Sequence, residues 1–329
     1  MRVLVTGGAG LIGSHLCAKL MGLGHEVLVL DSFRFTYHFE TAGDYAKNVN
    51  YRLHVLLRGA QIAQCCLLEK RRLEETVRAF RPQAVVHLAS IPLVGFASAH
   101  AEEASASLST GLVNLLEAVR SCDTLERFVY VSSSMVYGDF RTDPVEEDAP
   151  LDPISVYGGL KLAGEVLTRA YLKKTGATVC VVRPSCVYGP TETHERVVRK
   201  FCRSAMTGEP IMLTDASDHL IDLTYVEDAA NGLVLAATHA NAGGETFNLS
   251  YGQGRRLSEL ADFLEKLYPS LAREGCPTGH DDRPRRGTLS IDKAKRLLGY
   301  DPVWPMEAAV PVFLRWLGNH SEAGERVAA

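Results

Sequence analysis

The most constraining feature of this chain lies at its start. The stretch "RVLVTGGAGLIGSHL", Arg2 to Leu16, passes from a β-branched run straight into glycines and then into a helix-period pattern. Gly7, Gly10 and Gly13 stand three apart. In a strand–turn–helix, the first glycine permits the tight turn and the second lets a pyrophosphate approach the backbone. The third lets the helix pack on the strand, and the free N–H groups of the first helical turn face the phosphates. A second apolar run, "EVLVLD", ends on Asp31. A carboxylate there accepts both hydroxyls of an adenosine ribose and repels a 2′-phosphate, so the pattern predicts NAD. Arg34, close by, is the residue that argues for NADP.

Further runs of strand length follow: "AVVHLA", "RFVYVSSS" and "TVCVVRP". Helix-period segments separate them, at Ser14 to Gly22, Leu73 to Phe80, Ala101 to Ser121 and Tyr157 to Thr175. Such alternation predicts an α/β fold, a doubly wound parallel sheet of Rossmann type. Beyond Pro184 the alternation loosens. We therefore expect a dinucleotide-binding domain over 1–183 and a smaller mixed α/β substrate lobe over 184–318, with some segments returning to the sheet. Residues 319–329 read as a frayed tail.

The chain has 329 residues, 46% of them hydrophobic, enough for one large domain or two interlocked ones. Its net charge of −4 gives no positive excess for a nucleic-acid surface. No apolar run approaches the roughly 20 residues of a membrane span. "MRVLVTGGAG" breaks into glycines too early for a signal peptide. The eight cysteines form no Cys-x-x-Cys pair, which suggests reduced thiols in the cytoplasm and no metal site. The densest basic run, "RPRRG" from Arg283 to Gly287, reads as a solvated loop or as a site for a small anion.

The stretch "FVYVSSSMVYG" ends an apolar strand on Ser132, Ser133 and Ser134. Downstream, Tyr157 and Lys161 stand four apart, on one face of a helix. A free Tyr hydroxyl, with a pKa near ~10, is too weak an acid to serve as a base at neutral pH. A neighbouring ammonium and an oxidised nicotinamide favour the phenolate. Ser133 is placed to hydrogen-bond the same substrate oxygen. Together the three residues can take the proton of an alcohol whose carbon gives up a hydride.

On these residues the chain resembles the extended short-chain dehydrogenase/reductase family, in the group of NAD-dependent nucleotide-sugar epimerases and dehydratases. The likeness covers nearly the whole length, through "TGGAGLIGSHL", "VVHLAS", "VSSSMVYG", "YGGLK", "VVRPSCVYGP", "LTYVEDAA", "ETFNLS" and "RPRRGTLSIDKAKRLLGYDP". The resemblance implies a tightly held NAD, a nucleotide-diphosphate sugar substrate and transient oxidation of the sugar, usually at C4. It implies catalysis by Ser133, Tyr157 and Lys161. Cofactor contacts fall on Gly7, Gly10, Leu11, Ile12, Gly13, Asp31, Ser32, Leu88, Ala89, Ser90, Tyr157, Lys161 and Pro184. Substrate contacts fall on Ser133, Ser134, Cys186, Arg199 and Arg283. It also implies a homodimer formed through the helices at Ala101–Ser121 and Tyr157–Thr175.

The departures are informative. Family dehydratases carry Asp and Glu directly after the catalytic hydroxyl. Here those positions hold Ser134 and Met135, so removal of the C6 hydroxyl lacks its usual acid. That leaves a 4-epimerase, or a net 4-dehydrogenase or ketoreductase. A substrate-contacting Asn of the family is Cys186, and an Arg that grips the diphosphate is Ile221. Arg196, Arg199 and Lys200 are candidates to replace that charge. The family Asn near the start of the first long helix is Leu108, and the Gly-Asp pair near adenine aligns with Gly59-Ala60. Phe33, Phe35, Tyr37 and Phe39 are candidates to cover the adenine end, and His87 reads as a packed core histidine.

Overall fold

Strands that are apolar at every position must be covered on both faces, and the elements are arranged to do so. The computed structural model describes residues 1–33, 42–213, 219–275 and 284–320. Its first half runs β1 (Arg2–Thr6), α1 (Leu11–Gly22), β2 (Glu26–Asp31), α2 (Ala42–Tyr51), a π-helical turn (Arg52–Leu56), β3 (Gln61–Gln64), α3 (Lys70–Phe80), β4 (Ala84–His87) and α4 (Val94–Ala99). Next come α5 (Ala101–Ser105), a second π turn (Ala106–Thr110), α6 (Gly111–Arg120), β5 (Arg127–Val131), α7 (Val156–Leu172) and β6 (Thr178–Pro184). The remainder comprises β7 (Val187–Tyr188), α8 (Val197–Thr207), β8 (Ile211–Leu213), β9 (Leu220–Asp222), β10 (Thr224–Tyr225), α9 (Val226–Thr238), β11 (Thr246–Leu249), β12 (Gly254–Arg256), α10 (Leu257–Leu267), β13 (Arg273–Gly275), α11 (Asp292–Leu298) and α12 (Met306–His320).

Seven strands form one sheet in the order β11-β6-β5-β4-β1-β2-β3, every pair parallel. This is the Rossmann arrangement. The order reverses between β1 and β4, and the crevice beyond their carboxyl ends is where such sheets bind ligands. Alternate strand residues supply opposite faces. Val3, Val5, Val29, Val86 and Val129 pack with Leu16 and Leu20 of α1 and Leu233 of α9. Leu4, Leu28, Val85 and Phe128 pack with Leu73 and Val77 of α3 and Leu112 and Leu116 of α6. Each such side chain contributes roughly 1.5–3 kcal/mol when fully buried. A separate core under α8, α10 and α12 holds the smaller lobe, with Phe201, Ile221, Leu260 and Phe313 at its centre.

The five runs expected as strands are β1, β2, β4, β5 and β6. Two further strands complete the sheet. β3, "QIAQ", is polar and largely exposed at the sheet edge, so it carries little apolar signal. β11 returns from the second half to pair with β6, and α9 covers α1, so 226–249 belong to the sheet layer and not to the smaller lobe. The first long helix runs without a break from Ala101 to Arg120, with π-helical geometry over Ala106–Thr110. The second ends at Leu172, short of Thr175. α12 reaches His320, and the rest of the expected tail lies outside the described residues, as do Arg34, Phe35, Tyr37 and Phe39. Among the described residues no helix is long and apolar enough to cross a membrane.

Candidate active site

A cleft of about 1490 Å³ opens at the carboxyl edge of the sheet and extends across the smaller lobe. Its floor at one end is the glycine loop. Gly7 has φ +68°, and a Cβ there would lie 2.7 Å from the Ala89 nitrogen. A Cβ on Gly13 would lie 2.3 Å from the Gly7 carbonyl oxygen. Backbone is what each would strike, and backbone cannot yield cheaply. Gly13→Ala is therefore expected to push the α1 N-terminus off the loop; the purified variant should carry little or no NAD, measured by absorbance after denaturation.

Asp31 ends β2 beside this loop. Its Oδ2 accepts the Ala9 N–H and its Oδ1 the Phe33 N–H, both at 3.0 Å. The Ser32 N–H is a third backbone donor to this carboxylate, and of its roughly four lone-pair sites one is left for a ribose hydroxyl. Burial pushes its carboxyl up, and the backbone N–H groups and Arg52 pull it back down. Leu11, Ile12, Ser32, Leu88, Ala89, Ser90 and Pro184 all line the same end of the cleft. The loop's close backbone, the carboxylate and the volume fit a dinucleotide. The residues that follow the third strand are Cys65 and Cys66, which line the cleft; Gly59 and Ala60, aligned with the family's adenine-contacting pair, precede that strand. Arg52 was not anticipated. It is buried, donates to the carbonyls of Ala9 (3.1 Å) and Thr191, and so ties the glycine loop to the start of the smaller lobe.

At the centre of the cleft β5 ends and the serines begin. Ser133 caps a short 3₁₀ turn, its Oγ accepting the Met135 N–H at 3.2 Å, and it lies near enough to Tyr157 to draw the phenol's pKa down. Ser155 starts α7 by accepting the Gly158 N–H at 3.1 Å, which sets Tyr157 and Lys161 on the helix face toward the cleft. Lys161 donates to the Val131 carbonyl at 2.9 Å and stands 5.8 Å from the centre of the Tyr157 ring. Burial lowers the Lys161 ammonium to about 7, against the pull of Glu165. Tyr157 is held above its ordinary value by burial, while Arg196 and Ser133 draw it down. Lys161 stands beside Tyr157 as the sequence pattern expects, and Arg196 is a second cation that favours the phenolate. The buried Lys161 is pinned to the Val131 carbonyl.

α7 is fixed to the sheet by a carboxylate the sequence reading did not single out. Glu165, one turn beyond Lys161, accepts from Ser132 Oγ at 2.6 Å and from Arg183 Nε and Nη2 at 2.9 and 2.7 Å. Arg183 also donates to the Tyr137 hydroxyl at 3.0 Å, and that hydroxyl donates to Asn248 at 2.7 Å. Ser132 is thus committed to this network rather than to ligand. His87 accepts or donates a bond with Thr6 at 2.7 Å inside the sheet; burial lowers it to about 3, so it is a neutral core residue.

On the substrate side Ser134 and Cys186 line the cleft. Burial pushes the Cys186 thiol up, so it is no nucleophile. Arg199 is not among the lining residues: it is 2% exposed and turned inward onto Glu195 (2.9 Å) and the Glu192 carbonyl. Arg283 lies outside the described residues. The cations on the wall are Arg196, Lys200, Arg203 and Arg286. Leu108 is buried in the π turn, and it is the adjacent Ser107 that reaches the cleft. Among the described residues no cluster could hold a metal ion.

The sheet order, the glycine loop and the Ser–Tyr–Lys constellation together define a dinucleotide-dependent enzyme of the extended short-chain dehydrogenase type. Residues 3–250 match the model of the NAD dependent epimerase/dehydratase family, and the chain belongs to that family and depends on NAD. It is 30% identical over 351 residues to UDP-glucuronate 4-epimerase 2 of Arabidopsis thaliana, covering 100% of this chain and 79% of that one. It is 29% identical over 323 residues to an uncharacterized UDP-glucose epimerase of Bacillus subtilis, covering 97% and 98%. Among solved structures it resembles the UDP-glucuronic acid 4-epimerase of Bacillus cereus in complex with UDP-glucuronic acid and NAD. The TM-score is 0.87 at 26% identity, over 97% of this chain and 99% of that one.

Proposed function

We propose that this protein is an NAD-dependent nucleotide-sugar epimerase acting at C4. The observation that carries this reading is the joined set Ser133, Tyr157 and Lys161 on the wall of the glycine-loop cleft, with Ser134 and Met135 where an elimination would need carboxyl acids. Bound NAD supplies the acceptor and donor of the hydride. Tyr157, as phenolate, takes the proton of the C4 hydroxyl. Ser133, beside Tyr157 on the same cleft wall, orients that oxygen. Lys161, held on the Val131 carbonyl, adds positive charge beside the phenolate once the cofactor is in place. The 4-keto sugar turns in the cleft and offers its other face, and Tyr157 returns the proton. Gly7, Gly10, Leu11, Ile12, Gly13, Asp31, Ser32, Leu88, Ala89, Ser90 and Pro184 hold the cofactor. Ser134 and Cys186 face the sugar.

The same reading includes a homodimer in the cytoplasm. Val156, Gly159, Ala163, Val166 and Ala170 form an apolar stripe on the outer side of α7, with Val166 61% exposed. Small and branched side chains at helical spacing suit a helix-to-helix contact between copies.

The test is incubation with UDP-glucose and UDP-glucuronate, no cofactor added, read by mass spectrometry and NMR. We expect an isomer of unchanged mass inverted at C4. A ketone product, with reduced cofactor left on the protein, overturns the epimerase in favour of a dehydrogenase that needs a separate oxidant.

A further inference from the structure

None of the contacts implied by the family resemblance falls on the segment that runs from α2 into the first π-helical turn, yet this segment walls the cofactor end of the cleft. Its residues divide by helical spacing. Tyr45, Val49 and Arg52, at i, i+4 and i+7, line the cleft. Asn48 and Tyr51, at i and i+3, meet α12 of the smaller lobe instead. Asn48 Oδ1 accepts the Trp316 Nε1–H at 3.1 Å, and the Tyr51 ring stands edge-on to the Trp316 ring with centroids 4.5 Å apart. Trp316 itself packs on the core under α8, α10 and α12. A segment that lies between β2 and β3 in sequence is thus fastened to the other half of the molecule.

Arg52 makes a second fastening. It is 5% exposed, and burial lowers its guanidinium to about 10, which leaves it charged at neutral pH. Its Nη1 donates to the Ala9 carbonyl in the glycine loop at 3.1 Å, and its Nη2 donates to the Thr191 carbonyl. Its Nε finds no partner among the described residues. A methionine would fill this volume with no charge to desolvate, so packing does not account for the ion. What the ion holds is strained. Thr191 is fully buried with φ +71°, a left-handed conformation that a β-branched residue keeps only where its surroundings impose it. The turn that contains Thr191 leads into α8. There the Glu192 carbonyl accepts from Arg199, and Arg196, Lys200 and Arg203 line the substrate end of the cleft. One guanidinium therefore joins the loop that seats the dinucleotide to the segment that walls the substrate. A further tie of the same turn is His15 of α1, whose Nε2 lies 3.2 Å from the Pro190 carbonyl.

We propose that Arg52 is a positioning residue for the cofactor: by bridging the Ala9 and Thr191 carbonyls it holds the smaller lobe against the glycine loop, and NAD leaves only when that bridge opens. The test follows bound cofactor and needs no turnover, so it is independent of the epimerase reading. NAD-loaded protein is mixed with an excess of deuterated NAD, and exchange is read by mass spectrometry of the cofactor released on denaturation. A variant that is purified without cofactor is first reloaded with NAD. We expect Arg52→Met to speed exchange by about tenfold or more, the worth of a hydrogen bond to a charged group. Arg52→Lys, which keeps the charge without the fork that spans two carbonyls, should fall between. Trp316→Phe removes only the N–H that Asn48 accepts, on the side of α2 away from the cleft, and should speed exchange severalfold. These two variants carry the test should Arg52→Met not fold. A merely structural role has another signature: a lower unfolding temperature, with exchange by the folded protein unchanged. Exchange at the unsubstituted rate in the Arg52 variants overturns the proposal. An Arg52 effect that Trp316→Phe does not share also overturns it, because Arg52 would then act on the glycine loop alone.

Discussion

Tyr157→Phe is expected to lower turnover by roughly a hundredfold to ten-thousandfold while the purified protein keeps its full complement of NAD. The hydroxyl is the only group removed. The ring stays packed among Met135, Ala97 and Leu108, and Tyr157 is 8% exposed in that setting. Stability should change by about 1 kcal/mol or less, the net worth of one hydroxyl's hydrogen bonding. The kinetic effect should fall on kcat, because the proton transfer belongs to the transition state and not to ground-state binding. Single-turnover absorbance at the reduced-nicotinamide band separates the causes. A variant that still binds sugar and NAD but forms no reduced cofactor has lost the base. A variant with near-normal turnover removes Tyr157 from the chemistry and leaves Ser133 or a water as the base.

The parts of this site that could be read from sequence are those where one residue type at one spacing has one physical use. The glycines are an example: the clashes at Gly7 and Gly13 show why no other residue stands there. The Tyr-x-x-x-Lys pair and the strand-end serines are another. What stayed hidden depends on chain folding back on itself. β11 and α9 look like parts of the smaller lobe until β6 and α1 are seen to need cover on their outer sides. β3 is too polar and short to announce itself. Arg196, Arg199 and Lys200 are one basic segment in sequence. Only the helix orientation shows that Arg196 and Lys200 face the cleft while Arg199 turns in to Glu195. Arg52 sits in a region with weak family likeness, and its partners, Ala9 and Thr191, are far away in the chain.

Glu165→Ala should be the most destabilising single change at the site, by about 3–5 kcal/mol, the typical result of removing one partner of a buried ion pair. Both members are nearly sealed from water, Arg183 at 4% exposure and Glu165 at 6%. Without Glu165, the Arg183 guanidinium keeps, among the described residues, the Tyr137 hydroxyl and the Glu147 carbonyl as acceptors, and Ser132 Oγ loses its acceptor. A charge left in that condition costs more than the missing bonds themselves. Against a total stability of roughly 5–15 kcal/mol, such a loss should be plain in a urea unfolding midpoint. Glu165→Ala combined with Arg183→Met should recover part of it, since the stranded charge is then gone. Function should suffer even where the protein stays folded. Tyr157, Lys161 and Glu165 lie along one face of α7, and Glu165 is the tie that holds this face against Ser132, the neighbour of Ser133. Lys161 also loses the carboxylate that pulls its ammonium up against burial, so it should be less charged at neutral pH. We therefore expect Glu165→Ala, measured below its unfolding transition, to lower kcat more than tenfold with NAD still bound. A cost below about 1 kcal/mol with kcat intact would mean that α7 is held by its apolar contacts alone, and that the buried ion pair has no part in aligning the three catalytic side chains.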